Sequence, residues 1–327
     1  MTTGLPPLSD QTPPQSAPAL PGAHAIFDPE SFLPALDARL EGLDPRARRA
    51  AALAFLADAR SQAMADIEAG FATHPRAARE TLRAIAAMTD GLIGAVHHLA
   101  GAGLDASGPA RLCLLAVGGY GRMEMAPHSD IDLLFLTGND PDPQAAQIIE
   151  TILYLLWDLK LPIGHATRRI DDCIHLATED FTIRTSMLEH RVVAGDPLLG
   201  QALHQRLHDE LFAASIPEFI EAKLDERAAR HARQGGQRYM LEPNIKEGKG
   251  GLRDLQTLYW IAKYIHGVRR AAELADLGVF ARDEYNAFWQ AEDFLWAIRC
   301  HLHWITGRAT EKLGFDLQPE VAARMGY

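Results

Sequence analysis

The sequence has few of the features that mark membrane, secreted or thiolate-metal proteins. Its longest apolar stretches, 112–117 and 131–136, are far shorter than the roughly 20 residues that a membrane-crossing helix needs. Three scattered cysteines show no CxxC or Cys/His spacing, so they assemble neither a disulfide framework nor a structural zinc site. The N-terminal residues lack the charged and apolar regions of a signal peptide. We therefore expect a cytoplasmic protein without a membrane partner.

Positive charge is also scarce. The 327 residues include 32 Lys or Arg against 43 Asp or Glu, which gives a formal net charge of -11. Such a chain lacks the summed positive field that holds a polyanion, so nucleic acid is not expected as a partner. A hydrophobic fraction of 47% and a charged fraction of 23% are those of a folded globular protein, and the length suits about two domains.

Composition divides the chain into four segments. Residues 1–25 are rich in proline and are expected to form a disordered tail. Residues 26–105 have apolar residues at helical spacing and predict a helical lead-in. Residues 106–172 predict the core of the protein. Residues 173–327 predict a helical domain, interrupted by a Gly-rich stretch. The tryptophans lie among apolar helical positions, and we expect them to anchor the core or a domain interface.

The predicted core combines strands with a helix. Two β-type apolar runs, 112–117 and 131–136, flank a segment dense in Gly, Pro and charge. A third, alternating stretch at 161–170 follows a helical segment at 144–159. This order predicts a small mixed sheet with helices packed on it, and hence an α+β fold.

Two aspartates in the second apolar run carry the strongest chemical signal. In a strand, Asp130 and Asp132 project from one face while Ile131 and Leu133 are buried on the other. Two neighbouring carboxylates repel unless a cation is shared between them, and oxygen ligands favour Mg²⁺. The alternative is a pair of exposed aspartates in a turn, which the surrounding apolar residues disfavour.

Gly118 and Gly119 follow the first predicted strand. Without Cβ atoms, their backbone N–H groups can approach a phosphate closely. A plain turn is the alternative interpretation. The combination of the glycine pair with the two aspartates at this spacing favours a phosphate site beside a metal site.

A second Gly-rich segment, 247–251, precedes a predicted helix. Lys246, Lys249 and Arg253 are candidate phosphate clamps there, because a helix N-terminus favours an anion. The segment is not a Walker A loop, since no Ser or Thr follows the lysine. The alternative is a hinge with solvated lysines, in which Asp254 pairs with Arg253 or Lys249 and holds the loop.

The stretch 117–136, VGGYGRMEMAPHSDIDLLFL, resembles the active-site signature of the DNA polymerase β-like nucleotidyltransferases. More narrowly, it is similar to the bacterial PII uridylyltransferases. The stretches 164–196 and 241–264 are also similar to that family, so the resemblance covers about residues 30–327.

The resemblance implies a polymerase β-like core flanked by N-terminal helices and a C-terminal helical domain. It implies Mg²⁺-dependent transfer of UMP from UTP to a tyrosine of the PII nitrogen-regulatory protein, with release of pyrophosphate. Asp130 and Asp132 would be the catalytic metal ligands. The nucleotide-binding residues would be Gly118, Gly119, Arg122, Ser129, Lys246, Lys249, Gly250 and Arg253.

The sequence departs from the superfamily pattern in one respect. A third carboxylate is often supplied by a neighbouring strand, but the stretch 161–172 offers none at its centre, only His165 within it and Asp171 or Asp172 at its end, so the general base is unassigned. His165 titrates near neutrality and is one candidate, and a packing or hydrogen-bonding role is the alternative. Arg168 and Arg169 either touch a phosphate or pair with Asp171 or Asp172.

The HD-type hydrolase and the paired ACT domains of the family are expected to be absent from this sequence. Uridylyl removal and glutamine sensing are therefore not expected of it. The isolated His208-Asp209 pair is interpreted as a solvated helix surface. Two alternatives remain open, namely a transferase with another nucleotide or acceptor, such as an adenylylating enzyme, and a non-catalytic module that binds PII or a nucleotide.

Overall fold

A computed structural model of the chain describes residues 26–102, 111–140, 142–235, 240–268 and 271–327. The predicted disordered tail lies outside these ranges. Within them, no helix is both long enough and apolar enough to cross a membrane.

The lead-in is helical, as predicted. It consists of α1 (Pro29–Leu40), α2 (Pro45–Thr73) and α3 (Ala78–Gly101). An Asp-Pro pair starts α1 and α2, and the same pair recurs before two later helices. The aspartate side chain accepts hydrogen bonds from the first free backbone amides, and proline fits the first helical position because it has no N–H to leave unpaired.

A four-stranded mixed sheet forms the centre of the fold. Its strands are β1 (Leu112–Ala116), β2 (Ile131–Thr137), β3 (Ile163–Arg169) and β4 (Arg191–Gly195), in the order β3-β2-β1-β4. Neighbouring strands are antiparallel except β2 and β3, which are parallel. The α+β class and the three predicted strands are confirmed.

The helical prediction for residues 191–195 is wrong, because they form β4. This strand pairs with β1 at the edge of the sheet, so the sheet draws a strand from beyond residue 172. A five-residue edge strand between helices has too little periodicity to identify it.

Helices cover both faces of the sheet. Between β1 and β2 lies the short helix α4 (Gly118–Gly121), and α5 (Pro143–Asp158) connects β2 to β3. Leu114, Leu133 and Phe135 pack with the lead-in helices and α5 on one face. Leu115 and Leu134 pack with later helices on the other face. Burial of such side chains stabilises the fold by about 1.5–3 kcal/mol each.

The remaining helices follow β3. They are α6 (Ile170–Glu179), α7 (Phe181–Leu188), α8 (Pro197–Leu207), a π-helical turn (His208–Phe212), α9 (Ile216–Arg233), α10 (Leu252–His266), α11 (Ala271–Asp276), α12 (Arg282–Thr306) and α13 (Gln318–Arg324). His208 and Asp209 are both exposed on the π-helical turn, in agreement with the interpretation as a solvated surface.

Candidate active site

An open cleft of about 660 Å³ lies between the sheet and the later helices. Most of the predicted site residues line it, although they come from segments more than a hundred positions apart. Those that line it are Gly118, Gly119, Arg122, Ser129, Asp130, Asp132, Lys246 and Arg253.

The two aspartates lie at the start of β2. Asp130 is exposed immediately before the strand, and Asp132 is its half-buried second residue, while Ile131 and Leu133 are buried as predicted. Burial raises the pKa of Asp132, and the negative charge of Asp130 raises it further. Lys246 and Arg122 oppose this rise. The nearby cations therefore do not outweigh burial and the Asp130 charge at Asp132.

Two glycines leave room around the Asp132 carboxylate. Gly164 lies opposite Asp132 on β3, and a Cβ atom there would approach Asp132 Oδ1 to 2.6 Å. Gly118 has a φ of +59°, and a Cβ atom there would lie 3.1 Å from Asp132 Oδ2. The sequence analysis did not identify Gly164 as a site residue, although a glycine inside a strand indicates close approach of another group.

The two carboxylates match the donor set of a Mg²⁺ site. Among the described residues, no cluster of three or more His, Cys, Asp or Glu side chains is arranged to hold a metal. Mg²⁺ in proteins is commonly held by one or two carboxylates, with water and substrate phosphates completing its shell. Asp130 and Asp132, with space cleared by Gly118 and Gly164, fit that requirement.

Arg122 lies in the wall of the cleft. Its Nε donates to Glu124 Oε2 at 2.7 Å and lies 3.6 Å from Glu189 Oε2. Lys263 Nζ also contacts Glu189, at 3.1 Å. The guanidinium of Arg122 is therefore already balanced by carboxylates, which sequence reasoning did not foresee.

Arg253 and Ser129 have partners of their own in the cleft. Arg253 donates to Gln256 at 3.1 Å and to Glu247 at 3.4 Å, and its guanidinium lies over the Trp260 ring. Ser129 Oγ accepts a hydrogen bond from the amide of Ala126 at 3.0 Å, which leaves its own proton available to a ligand.

Asp254 holds the Gly-rich segment, but its charged partners differ from the ones considered in the sequence. Gly250 donates its amide to Asp254 at 2.8 Å, and Asp254 is bound by Arg230 at 2.5 Å and by His231 at 2.9 Å. Asp254 thus holds the loop, as in the alternative interpretation, but its charged hydrogen-bond partners are Arg230 and His231 and not Arg253 or Lys249. Lys249 is exposed, and neither it nor Gly250 is among the residues that line the cleft. Their role in nucleotide binding stays a prediction.

Most charged side chains in the cleft neutralise one another. Eight Lys or Arg and seven Asp or Glu line it, so the cleft has a slight positive excess in an acidic protein. Within the described ranges, five of these charged groups have no hydrogen-bond or ion-pair partner. They are Asp130, Asp132, Arg168, Arg233 and Lys246.

The two arginines at the end of β3 have different environments. Arg169 is bound to Asp172 at 3.0 Å, as in the surface pairing considered above. Arg168 lines the cleft, on the same face of the sheet as Asp132, because the pairing of β2 with β3 places it opposite Leu136. Of the two alternatives, Arg169 fits the ion pair and Arg168 is placed to meet an anion.

His165 lies at the rim of the cleft but does not face the aspartates. It is opposite Leu133, so its side chain lies on the other face of the sheet from Asp132, where it contacts Trp157 edge-on. This placement argues against His165 as the general base, and Gly164 occupies the position where a third carboxylate would face Asp132.

A second cleft of about 1160 Å³ lies behind this wall. It shares Arg122, Glu124 and Glu189 with the first cleft. In the second cleft, Arg79 binds Glu292 at 2.9 Å. Burial, followed by the charge of Glu124, raises the pKa of Glu292 to about 7. The two clefts are thus separated by a thin layer of mutually paired charges.

The fold is consistent with a nucleotidyltransferase core with flanking helices, and comparisons with protein families agree. Residues 62–159, which include the glycine pair and both aspartates, match the family described as "Putative nucleotidyltransferase DUF294". Residues 218–327, which include the Gly-rich segment, match "GlnD PII-uridylyltransferase".

Curated relatives identify the family more closely. A bifunctional uridylyltransferase/uridylyl-removing enzyme of Ruegeria pomeroyi is 54% identical over 307 residues, covering 92% of this chain and 34% of that protein. The enzyme of the same name from Cereibacter sphaeroides is 51% identical over 309 residues, which cover 92% of this chain and 33% of that protein. The one from Caulobacter vibrioides is 53% identical over 253 residues, which cover 76% of this chain and 27% of that protein. The chain belongs to this family and spans about a third of the length of these relatives.

Proposed function

We propose that this chain transfers UMP from UTP to a tyrosine of the PII nitrogen-regulatory protein in the cytoplasm, releasing pyrophosphate. The observation that carries the proposal is the set of unpartnered charges in the cleft. Two carboxylates suit a divalent cation, and three cations suit the phosphates of a nucleotide. Family membership supports the choice of uridylyl transfer.

Asp130 and Asp132 would hold Mg²⁺. When bound, the ion would neutralise charge on the triphosphate and on the leaving pyrophosphate. Burial, and then repulsion from Asp130, raise the pKa of Asp132, and a bound cation would oppose both effects. Gly118 and Gly164 keep the carboxylate oxygens free of steric contact from a Cβ atom.

The remaining groups would position the nucleotide. Lys246 has an ammonium without an ion-pair partner in the described structure, and burial lowers its pKa, so an added phosphate would stabilise its charged form. Ser129 would donate its free hydroxyl proton, and the backbone amides of Gly118 and Gly119, at the start of α4, lack intrahelical acceptors.

The test is incubation of the chain with PII, Mg²⁺ and labelled UTP or ATP. We expect label on PII from UTP alone. Label from ATP would instead support adenylylation, and nucleotide binding without label would support a non-catalytic module.

The metal assignment has a separate test. The double variant Asp130→Asn/Asp132→Asn should lose Mg²⁺ binding in titration calorimetry and lose transfer, because both ligand charges are removed at constant volume. Asp209→Asn, at an exposed aspartate outside the cleft, is the matched control. Equal Mg²⁺ uptake by the double variant and the wild type would refute the assignment.

A further inference from the structure

An exposed aromatic cluster lies at the edge of the sheet. The sequence predicts that the tryptophans anchor the core or a domain interface; Trp157 is not in the core, since it is 50% exposed, and Tyr154 is 48% exposed. The two rings meet edge-on at 5.8 Å, and the Trp157 ring meets His165 at 6.1 Å. Lys160 is also exposed, just beyond the end of α5. We call Tyr154, Trp157, Lys160 and His165 the edge patch.

The opposite face of α5 accounts for the helix's own stability. Ile148, Ile152 and Leu156 are buried there in the core. Tyr154 and Trp157 are three residues apart and so share the outer face. Neither ring is needed to fill the core. Exposed Trp and Tyr side chains of this kind are typical anchors of protein interfaces.

The edge patch is continuous with the catalytic cleft. The segment that follows Lys160 runs beside the aspartates, because the carbonyl of Pro162 accepts a hydrogen bond from the amide of Ile131 at 2.9 Å. Gly164 then lies opposite Asp132, and His165 itself contributes to the rim of the cleft. A molecule that covers the edge patch therefore borders the mouth of the cleft.

The edge strand offers backbone groups to the same molecule. In the described part of the chain, β3 pairs with β2 alone, so its outer edge has free hydrogen-bonding groups. Such an edge accepts an added extended segment.

Two aspartates near the edge patch lie in ion pairs. Asp158 is neutralised by Arg49 at 2.7 Å, and Asp172 is bound by Arg169. Lys160, at the edge patch itself, has no ion-pair partner among the described residues. An acidic segment would complement this surface.

We propose that the edge patch and the outer edge of β3 are the docking surface for the protein acceptor. The bound segment would carry acidic and apolar side chains next to the residue that is modified. This inference rests on the proposed function, because an acceptor protein must cover the rim of the cleft to bring its hydroxyl to Asp130 and Asp132. It adds a location and a chemistry for the contact.

The first test is the double variant Tyr154→Ala/Trp157→Ala. We expect the KM for PII to rise by at least about tenfold, as for loss of central aromatic anchors. The KM for UTP and the Mg²⁺ affinity should stay within about twofold of wild type, since neither ring lines the cleft. Phe294→Ala, at another exposed aromatic on a helix, is the matched control.

Two results would overturn the inference. One is an unchanged KM for PII in the double variant; an altered sedimentation coefficient in that case would make the edge patch a self-association surface. The other is a parallel loss of UTP affinity, which would indicate a structural effect on the cleft.

Amide hydrogen exchange with unlabelled PII separates this inference from the proposed function. We expect PII to protect residues 159–169 in the wild type but not in the double variant. Protection without nucleotide transfer by the wild type would refute the function and leave the docking surface standing. Transfer without protection would refute the docking surface alone.

Discussion

The substitution Gly164→Ala tests the site through geometry alone. It adds one methyl group on β3 and changes no charge. The new Cβ atom would lie 2.6 Å from Asp132 Oδ1, whereas ordinary contact begins at 3.4 Å, so the oxygen must move by about 0.8 Å. Displacement of a catalytic group by about 1 Å can cost a factor of about 100 in rate, or roughly 2.7 kcal/mol of transition-state stabilisation. We expect a fall of that size in kcat/KM for transfer of labelled UMP to PII.

The controls for this prediction use the same chemistry elsewhere. Gly94→Ala adds a methyl group that meets nothing within 4 Å, so its activity should match wild type. In an Asp132→Asn background, Gly164→Ala should cause little additional loss, because it acts through the carboxylate that is already altered. If Gly164→Ala retained more than half of the wild-type activity in a folded protein, the steric argument would be refuted.

Three further predictions concern charge. Lys246→Ala should raise the KM for UTP about tenfold, because it removes a charged phosphate partner. Lys249→Ala should have a smaller effect, because Lys246 lines the cleft and Lys249 does not, and equal effects of the two variants would contradict this distinction. Because the pKa of Asp132 is raised, protons should compete with Mg²⁺ at a higher pH than they would at an ordinary aspartate. In a calorimetric pH series, the midpoint of the loss of Mg²⁺ affinity should therefore lie above the usual pKa of aspartate, and a midpoint at that usual pKa would contradict the prediction. Glu292, with a pKa near 7 against a usual 4.5, keeps its proton in the folded protein longer than in the unfolded chain. The free energy of unfolding should therefore decrease as pH rises between these values, by at most about 1.4 kcal/mol per pH unit. Urea denaturation of Glu292→Gln should show a flatter dependence, and an unchanged slope would exclude Glu292 as its source.

The local pattern of the sequence was sufficient to predict the centre of the fold. Apolar runs at β1 and β2 and the alternation at β3 are set by side-chain period, which is visible in one segment at a time. β4 was not predicted, because its five residues have a mixed burial pattern and form a strand by pairing with β1. Its Arg191 is bound to Asp90 of α3 at 2.8 Å, a contact across 101 positions that no local pattern contains.

The candidate site shows the same division. Asp130 and Asp132 could be identified because their spacing on a strand places them together. Which cations remain free for a ligand could not be predicted, because that depends on tertiary pairing. Arg122 is balanced by Glu124 and Glu189, whereas Arg168, which had two equally good interpretations in the sequence, has no ion-pair partner among the described residues.

The partition between the two clefts has a consequence for how inhibitors or effectors would act. Glu189 is bound by Lys263 on one side and approached by Arg122 on the other. If a compound in the second cleft displaced Lys263, Arg122 would be left as the nearest positive charge to Glu189. The charge around Arg122 in the first cleft would then depend on what occupies the second cleft, through a single layer of side chains.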